Sequence, residues 1–188
     1  MAELAPLPHM TVADFVAWDD GTQIRYELVR GAPVAMTPPS GRHAEIVGNV
    51  AASLSRQLVR PCRVPQGGGV AGDDADDQFR LPDVFVTCEP TPERYFRVPR
   101  LVVEVLSPST EKDDRTEKLD FYQSLPSVEA VLLIWQERRR AQLQLRDGAR
   151  WLVQDLIGAG MLDVPSLGVS LALDDVYQGL DLPTEPES

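Results

Sequence analysis

Leu101-Val102-Val103-Glu104-Val105-Leu106-Ser107-Pro108-Ser109-Thr110 is the stretch on which the fold turns. Its first six residues are apolar at both alternating sets of positions except Glu104, as expected of a central strand buried between layers. Ser107 and Pro108 end it. A carboxylate buried without a partner costs several kcal/mol, so Glu104 needs either a structural ion pair or a metal. Pro82-Asp83-Val84-Phe85-Val86-Thr87 is a second apolar run, and proline is compatible with a strand's first position. On adjacent strands, Asp83 and Glu104 would offer oxygen ligands to Mg²⁺, which takes few protein ligands and keeps waters. An ordinary strand-starting turn is the plain alternative for Pro82-Asp83.

Downstream, a helix is expected from about Asp113 to Leu125, stopped by Pro126. On a wheel centred on Lys118, Tyr122 falls at about 40° and Leu125 at about −20°, so a lysine lies in the apolar stripe. Either its stem snorkels with the ammonium in water, or the ammonium sits over a phosphate beside the two carboxylates. Three strand-like segments follow, Ala130 to Trp135, Ala141 to Arg146 and Trp151 to Ile157, which read as a meander. A strand near Val169 to Leu173 and a helical turn at Asp174 to Gly179 precede a Pro/Glu-rich tail, residues 181–188, expected to fray.

Upstream, Thr11 to Trp18 reads as a short amphipathic helix placed as a lid, and Ile24 to Met36 as a hairpin turning at Arg30-Gly31. Glu27 alternates with Tyr26 and Leu28; it is either solvent-exposed or lines a site. From Ser40 to about Arg60 the pattern is helical, with Ile46, Val47, Val50, Leu54 and Leu58 on one side and His43 facing the same way. A satisfied core or helix-start histidine is the more common explanation for such a residue, and a site shared by the strands is the alternative. Residues 62–70 resemble a strand, and Asp73 to Asp77 a solvated hairpin tip without the glycine and glutamate of a calcium loop.

The 188 residues suffice for one hydrophobic core, and the expected organisation is a single domain over residues 1–180. Hydrophobic content of 43 % with 25 % charged residues excludes disordered, collagen-like and disulfide-scaffold classes. No apolar run is long enough to span a bilayer. Cys62 and Cys88 are too few for a disulfide framework, which fits a reducing, cytoplasmic setting. The net charge of −11 opposes tight non-specific binding to nucleic acid, although clustered carboxylates offset by metal remain compatible with a nuclease. The fold class is therefore α/β, a mixed central sheet flanked by helices with a C-terminal β-meander.

The ordered set Arg25 to Gly31, Arg42-His43, Pro82 to Val86, Val102 to Thr110 and Glu117 to Tyr122 resembles the bacterial Uma-two (Uma2) family of putative restriction endonucleases, a branch of the PD-(D/E)-x-K nuclease superfamily. The resemblance runs from about Thr11 to Leu180. It implies a restriction-endonuclease-like core, Mg²⁺ (or Mn²⁺) as cofactor, DNA as substrate, and Asp83 and Glu104 as metal ligands with a strand carbonyl, that of Val105. Leu106 occupies the position where the superfamily carries its lysine, and the family supplies that lysine from the following helix, which matches Lys118. Glu27 and His43 match positions the family pattern retains. The implied activity is metal-dependent hydrolysis of DNA phosphodiesters. Two alternatives stay open, a non-catalytic binding or dimerisation protein on the same fold and a small-phosphoester hydrolase. Apolar surface on the meander and at Phe15 and Trp18 leads us to expect a homodimer.

Overall fold

The structure, a computed structural model, describes residues 9–107 and 117–183. Its centre is a five-stranded sheet built from β3 (Val84–Thr87), β4 (Pro99–Leu106), β5 (Ala130–Trp135), β6 (Arg140–Asp147) and β7 (Arg150–Ile157), in that spatial order. Only β4 and β5 run parallel; the other neighbours are antiparallel, so the sheet is mixed. The parallel step requires a crossover, and its last turn is helix α3 (Leu119–Ser124). The expected start of that helix at Asp113, together with Pro108 to Thr110, lies outside the described residues.

Both faces of the sheet are covered, which explains the unbroken apolar character of β4 and β5. On one face, Leu101, Val103 and Val105 of β4 meet Ile46, Val50 and Leu54 of helix α2 (Gly41–Gln57). That layer is completed by the hairpin β8 (Met161–Val164) and β9 (Val169–Ala172) and by the short helix α4 (Leu173–Val176). On the other face, Val102 and Leu106 pack with Phe121, Tyr122 and Leu125 around α3. Period-two alternation along β4 therefore sends Glu104 toward α3.

A smaller cluster joins the N-terminal elements. Helix α1 (Val12–Ala17) is closed by a Thr11–Asp14 capping box, and it packs with Leu28 of β1 (Tyr26–Val29) and with Phe79. Strand β1 pairs with β2 (Ala32–Ala35) through the turn at Arg30 and Gly31, both at positive φ. Phe15 packs against Phe79 at a tilt, and Trp18 meets Tyr26 edge-on, so these aromatic side chains are used within the chain.

Two expectations are corrected. Residues 62–70 form no strand; they make isolated bridges, Arg63–Thr87 to the end of β3 and Val70–Arg80 and Val70–Phe96 to flanking segments, because Pro65 and the run Gly67 to Gly69 interrupt a ladder. Cys62 and Cys88, read as features of a reducing setting, are joined in a disulfide beside the Arg63–Thr87 bridge. Neighbours on antiparallel segments are far apart in sequence, so spacing did not disclose the pair. Among the described residues no helix is long and apolar enough to cross a membrane.

Candidate active site

The carboxylates collect where β3 and β4 part. Extending the β3–β4 register by one residue sets Asp83 opposite Glu104. Leu106 accepts a hydrogen bond from the backbone N–H of Gln136, just beyond β5, so the even-numbered residues of β4 turn their backbone groups toward β5. The odd-numbered ones turn theirs toward β3. Past the Val84–Val103 pair, the N–H of Val105 finds the Asp83 carboxylate instead of a strand, donating to Oδ2 at 2.7 Å. By the same alternation the Val105 carbonyl is directed to the Asp83 side.

Asp83 is also held by α2. Ser40 caps this 17-residue helix, its Oγ accepting from the His43 N–H, and the same hydroxyl donates to Gln136 Oε1 at 3.1 Å. The cap orients the first turn so that His43 Nε2 lies 3.1 Å from Asp83 Oδ2. The imidazole therefore donates to the carboxylate.

Glu104 is only 3 % exposed. It accepts a 2.6 Å hydrogen bond from the Tyr122 hydroxyl, and Lys118 Nζ lies 3.5 Å from its other oxygen. Lys118 and Tyr122 stand four residues apart, on the same side of the helical turn that enters α3. Burial, followed by the nearby charges of Glu104 and Glu27, pushes the Tyr122 phenol well above its usual range, so it remains a donor.

Glu27 joins the group from β1. Its carboxylate accepts from the Leu81 N–H at 2.9 Å and lies 3.3 Å from Lys118 Nζ and 3.4 Å from Arg80 Nη1. Arg80 is itself buried, donates to Gln78 and stacks over Phe121. Glu27 and Leu28 are both buried, because Leu28 faces the α1 cluster while Glu27 turns toward the sheet. The five side chains singled out from sequence thus occupy one region as two linked sets, His43–Asp83 and Glu104–Lys118–Glu27.

The model of the family described as "Putative restriction endonuclease" matches residues 12–183. The chain belongs to the Uma2 family. This Uma2 chain is 29 % identical over 188 aligned residues to an uncharacterized protein of Synechocystis sp., an alignment covering 94 % of this chain and 95 % of the relative. It is 25 % identical to a second uncharacterized Synechocystis protein, over 84 % and 93 % of the two chains. Its fold is similar to the crystal structure of a putative nuclease of the DUF820 group from Anabaena variabilis. The TM-score is 0.70 at 18 % identity, covering 89 % of this chain and 97 % of that one.

Three further members of this side-chain cluster escape a reading of residues alone. Tyr122 is legible only as part of an apolar stripe, although its i, i+4 spacing from Lys118 was the available signal. Arg80, between Phe79 and Leu81, carries a weaker hint, a charge inside an apolar run. Gln136 has no local signal; its role follows from the β5 terminus meeting the α2 cap.

Proposed function

We propose that this Uma2 protein is a metal-dependent endonuclease that hydrolyses DNA phosphodiester bonds. The observation that carries the reading is the register that sets Asp83 opposite Glu104 where β3 and β4 part, with Lys118 Nζ 3.5 Å from the Glu104 carboxylate. Among the described residues no group of three or more His, Cys, Asp or Glu side chains gathers to hold a metal ion. The donor set in this reading would be the Asp83 and Glu104 carboxylates and the Val105 carbonyl. That all-oxygen, sparse set fits Mg²⁺ or Mn²⁺, which fill the remaining positions with water and substrate. Asp83, Glu104 and the Val105 carbonyl would hold such an ion, which would supply Lewis acidity toward water and the scissile phosphate.

The other residues have separate tasks. Lys118 presents an ammonium to the charge that develops on the phosphoryl oxygens, where a fixed donor in a partly dry site is most effective. Glu27 and Glu104 hold that ammonium from two sides, and Arg80 keeps Glu27 in place. Tyr122 fixes the rotamer of Glu104, while His43 and the Val105 N–H fix Asp83. Each ligand is thereby oriented by a neighbour from a different element, as a preorganised site requires.

The test is titration of Mg²⁺ and Mn²⁺ into wild type, Asp83→Asn and Glu104→Gln, with cleavage assays on linear, branched and single-stranded DNA beside a generic phosphoester. Wild type should bind metal and cut DNA, and both variants should lose each property with circular dichroism unchanged. Cleavage that survives excess chelator refutes the reading. The mutual pairing of Lys118 with two carboxylates and the net charge of −11 favour the rival, a binding protein on a nuclease fold. A folded wild type that neither binds metal nor cuts any substrate would decide for it.

A further inference from the structure

Strand β7 forms one side of the central sheet, and it lacks the features by which edges avoid pairing. It is eight residues long, its register with β6 is unbroken, and only Arg150 and Asp155 are charged. It contains neither Pro nor Lys, the residues that commonly blunt such edges. Leu152, Val153 and Ile157 are 55 %, 58 % and 57 % exposed. Asp155 is neutralised within the chain by Arg140, whose Nε lies 2.9 Å from its Oδ1. At the opposite side of the sheet, β3 has four residues and is bordered by the Arg63–Thr87 bridge. Among the described residues no strand pairs with the outer side of β7.

The direction of the outer backbone groups follows from the ladder. Gly158 continues the β6–β7 register opposite Arg139, and its N–H donates to the Arg139 carbonyl at 2.8 Å. Even-numbered residues of β7 therefore address β6, and Trp151, Val153, Asp155 and Ile157 direct their N–H and C=O groups outward. These four positions are symmetric about Gln154. An antiparallel copy of β7, related by a two-fold axis through Gln154 perpendicular to the sheet, would pair all four residues with about eight hydrogen bonds, two of them to Ile157 carbonyls that also accept from Ala159 N–H within their own chain. The same register sets Leu152 against the partner's Leu156, Trp151 against the partner's Ile157 and Val153 against the partner's Asp155. Backbone and side chains thus select one self-complementary arrangement.

We infer that β7 is a homodimerisation edge, pairing with β7 of a second copy about Gln154 to make one ten-stranded sheet. Antiparallel pairing reverses the strand direction across the axis, so the two Asp83–Glu104 regions lie toward opposite ends of the joined sheet. Each is built within one chain. The dimer is therefore separate from the nuclease reading, and either can fail without the other.

Light scattering of wild type should return twice the 20.8 kDa chain mass. Val153→Pro removes an outward N–H while leaving the bonds to β6, and it should return the monomer mass with circular dichroism preserved. Mild oxidation of Gln154→Cys should give a covalent dimer. The central pair is non-hydrogen-bonded with Cα atoms about 4.5 Å apart, close enough for a disulfide. Val153→Cys should crosslink poorly, because it faces the partner's Asp155. Should Val153→Pro fail to fold, the two cysteine variants still decide. A monomeric wild type at high concentration, or stronger crosslinking at 153 than at 154, overturns the proposal.

Discussion

Tyr122→Phe deletes one oxygen and keeps the ring, so it isolates the hydrogen bond that holds Glu104. The phenol is fully buried and Glu104 nearly so, and their 2.6 Å separation is that of a short bond to an acceptor carrying charge. Hydrogen bonds to charged groups contribute about 1.5–3 kcal/mol, and water cannot replace this donor without opening the α3 face. With an unfolding entropy of about 2.1 cal/mol/K per residue, the 188-residue chain has roughly 0.4 kcal/mol/K at its midpoint. Tm should therefore fall by about 4–8 °C. The assay is urea and thermal unfolding of wild type, Tyr122→Phe, Glu104→Gln and the double variant. In the Glu104→Gln background the hydroxyl meets a neutral acceptor, so the same deletion should cost only about 1 kcal/mol. A Tyr122→Phe protein within about 0.3 kcal/mol of wild type, or strict additivity in the cycle, would refute the claim that this hydroxyl anchors the carboxylate.

Lys118→Met should lower any cleavage rate by about 100-fold while metal titration stays near wild type, and unchanged turnover would remove Lys118 from the site. It should also destabilise the fold, because Glu27 and Glu104 lose the cation between them; urea unfolding reads this. Reduction of the Cys62–Cys88 disulfide, which spans 26 residues of sequence, should lower stability by up to about 3.5 kcal/mol. Melting with and without reductant, beside a thiol count, checks it. At high pH, burial and the hydrogen bond to Asp74 push the Tyr95 phenol up to about 12. Burial likewise raises Tyr122 and Tyr177. A phenol whose folded pKa exceeds the unfolded value of about 10 stabilises fully below pH 10, and that stability is lost as pH rises toward the folded value. Tm should be flat across about pH 8–9.5 and fall steeply above about pH 10, most visibly in wild type compared with Tyr95→Phe.

Periodicity alone determined much of this protein. The two-sided apolar run at Leu101 to Leu106 required a strand covered on both faces, and Glu104 within it announced a buried carboxylate in need of partners, because strand burial is written in which alternate positions are apolar. The 3.6-residue spacing of Ile46, Val50 and Leu54 likewise set the inner face of α2. What periodicity could not carry was who meets whom across long separations. The Tyr122 and Lys118 contacts to Glu104 and the convergence of Lys118 and Arg80 on Glu27 depend on how β1, β4 and α3 pack together, and the Cys62–Cys88 pairing depends on the segment that lies beside β3. That packing also sets the sign of a charge deletion: with a cation and a hydroxyl beside Glu104, loss of its charge is unfavourable. The open edge of β7 was equally hidden, since alternation in Trp151 to Ile157 describes faces, and only strand order says which backbone groups have no neighbouring strand. Local patterns record burial, which each residue expresses by its own chemistry; pairing between distant segments is a property of the assembled sheet, and the tertiary structure alone decides it.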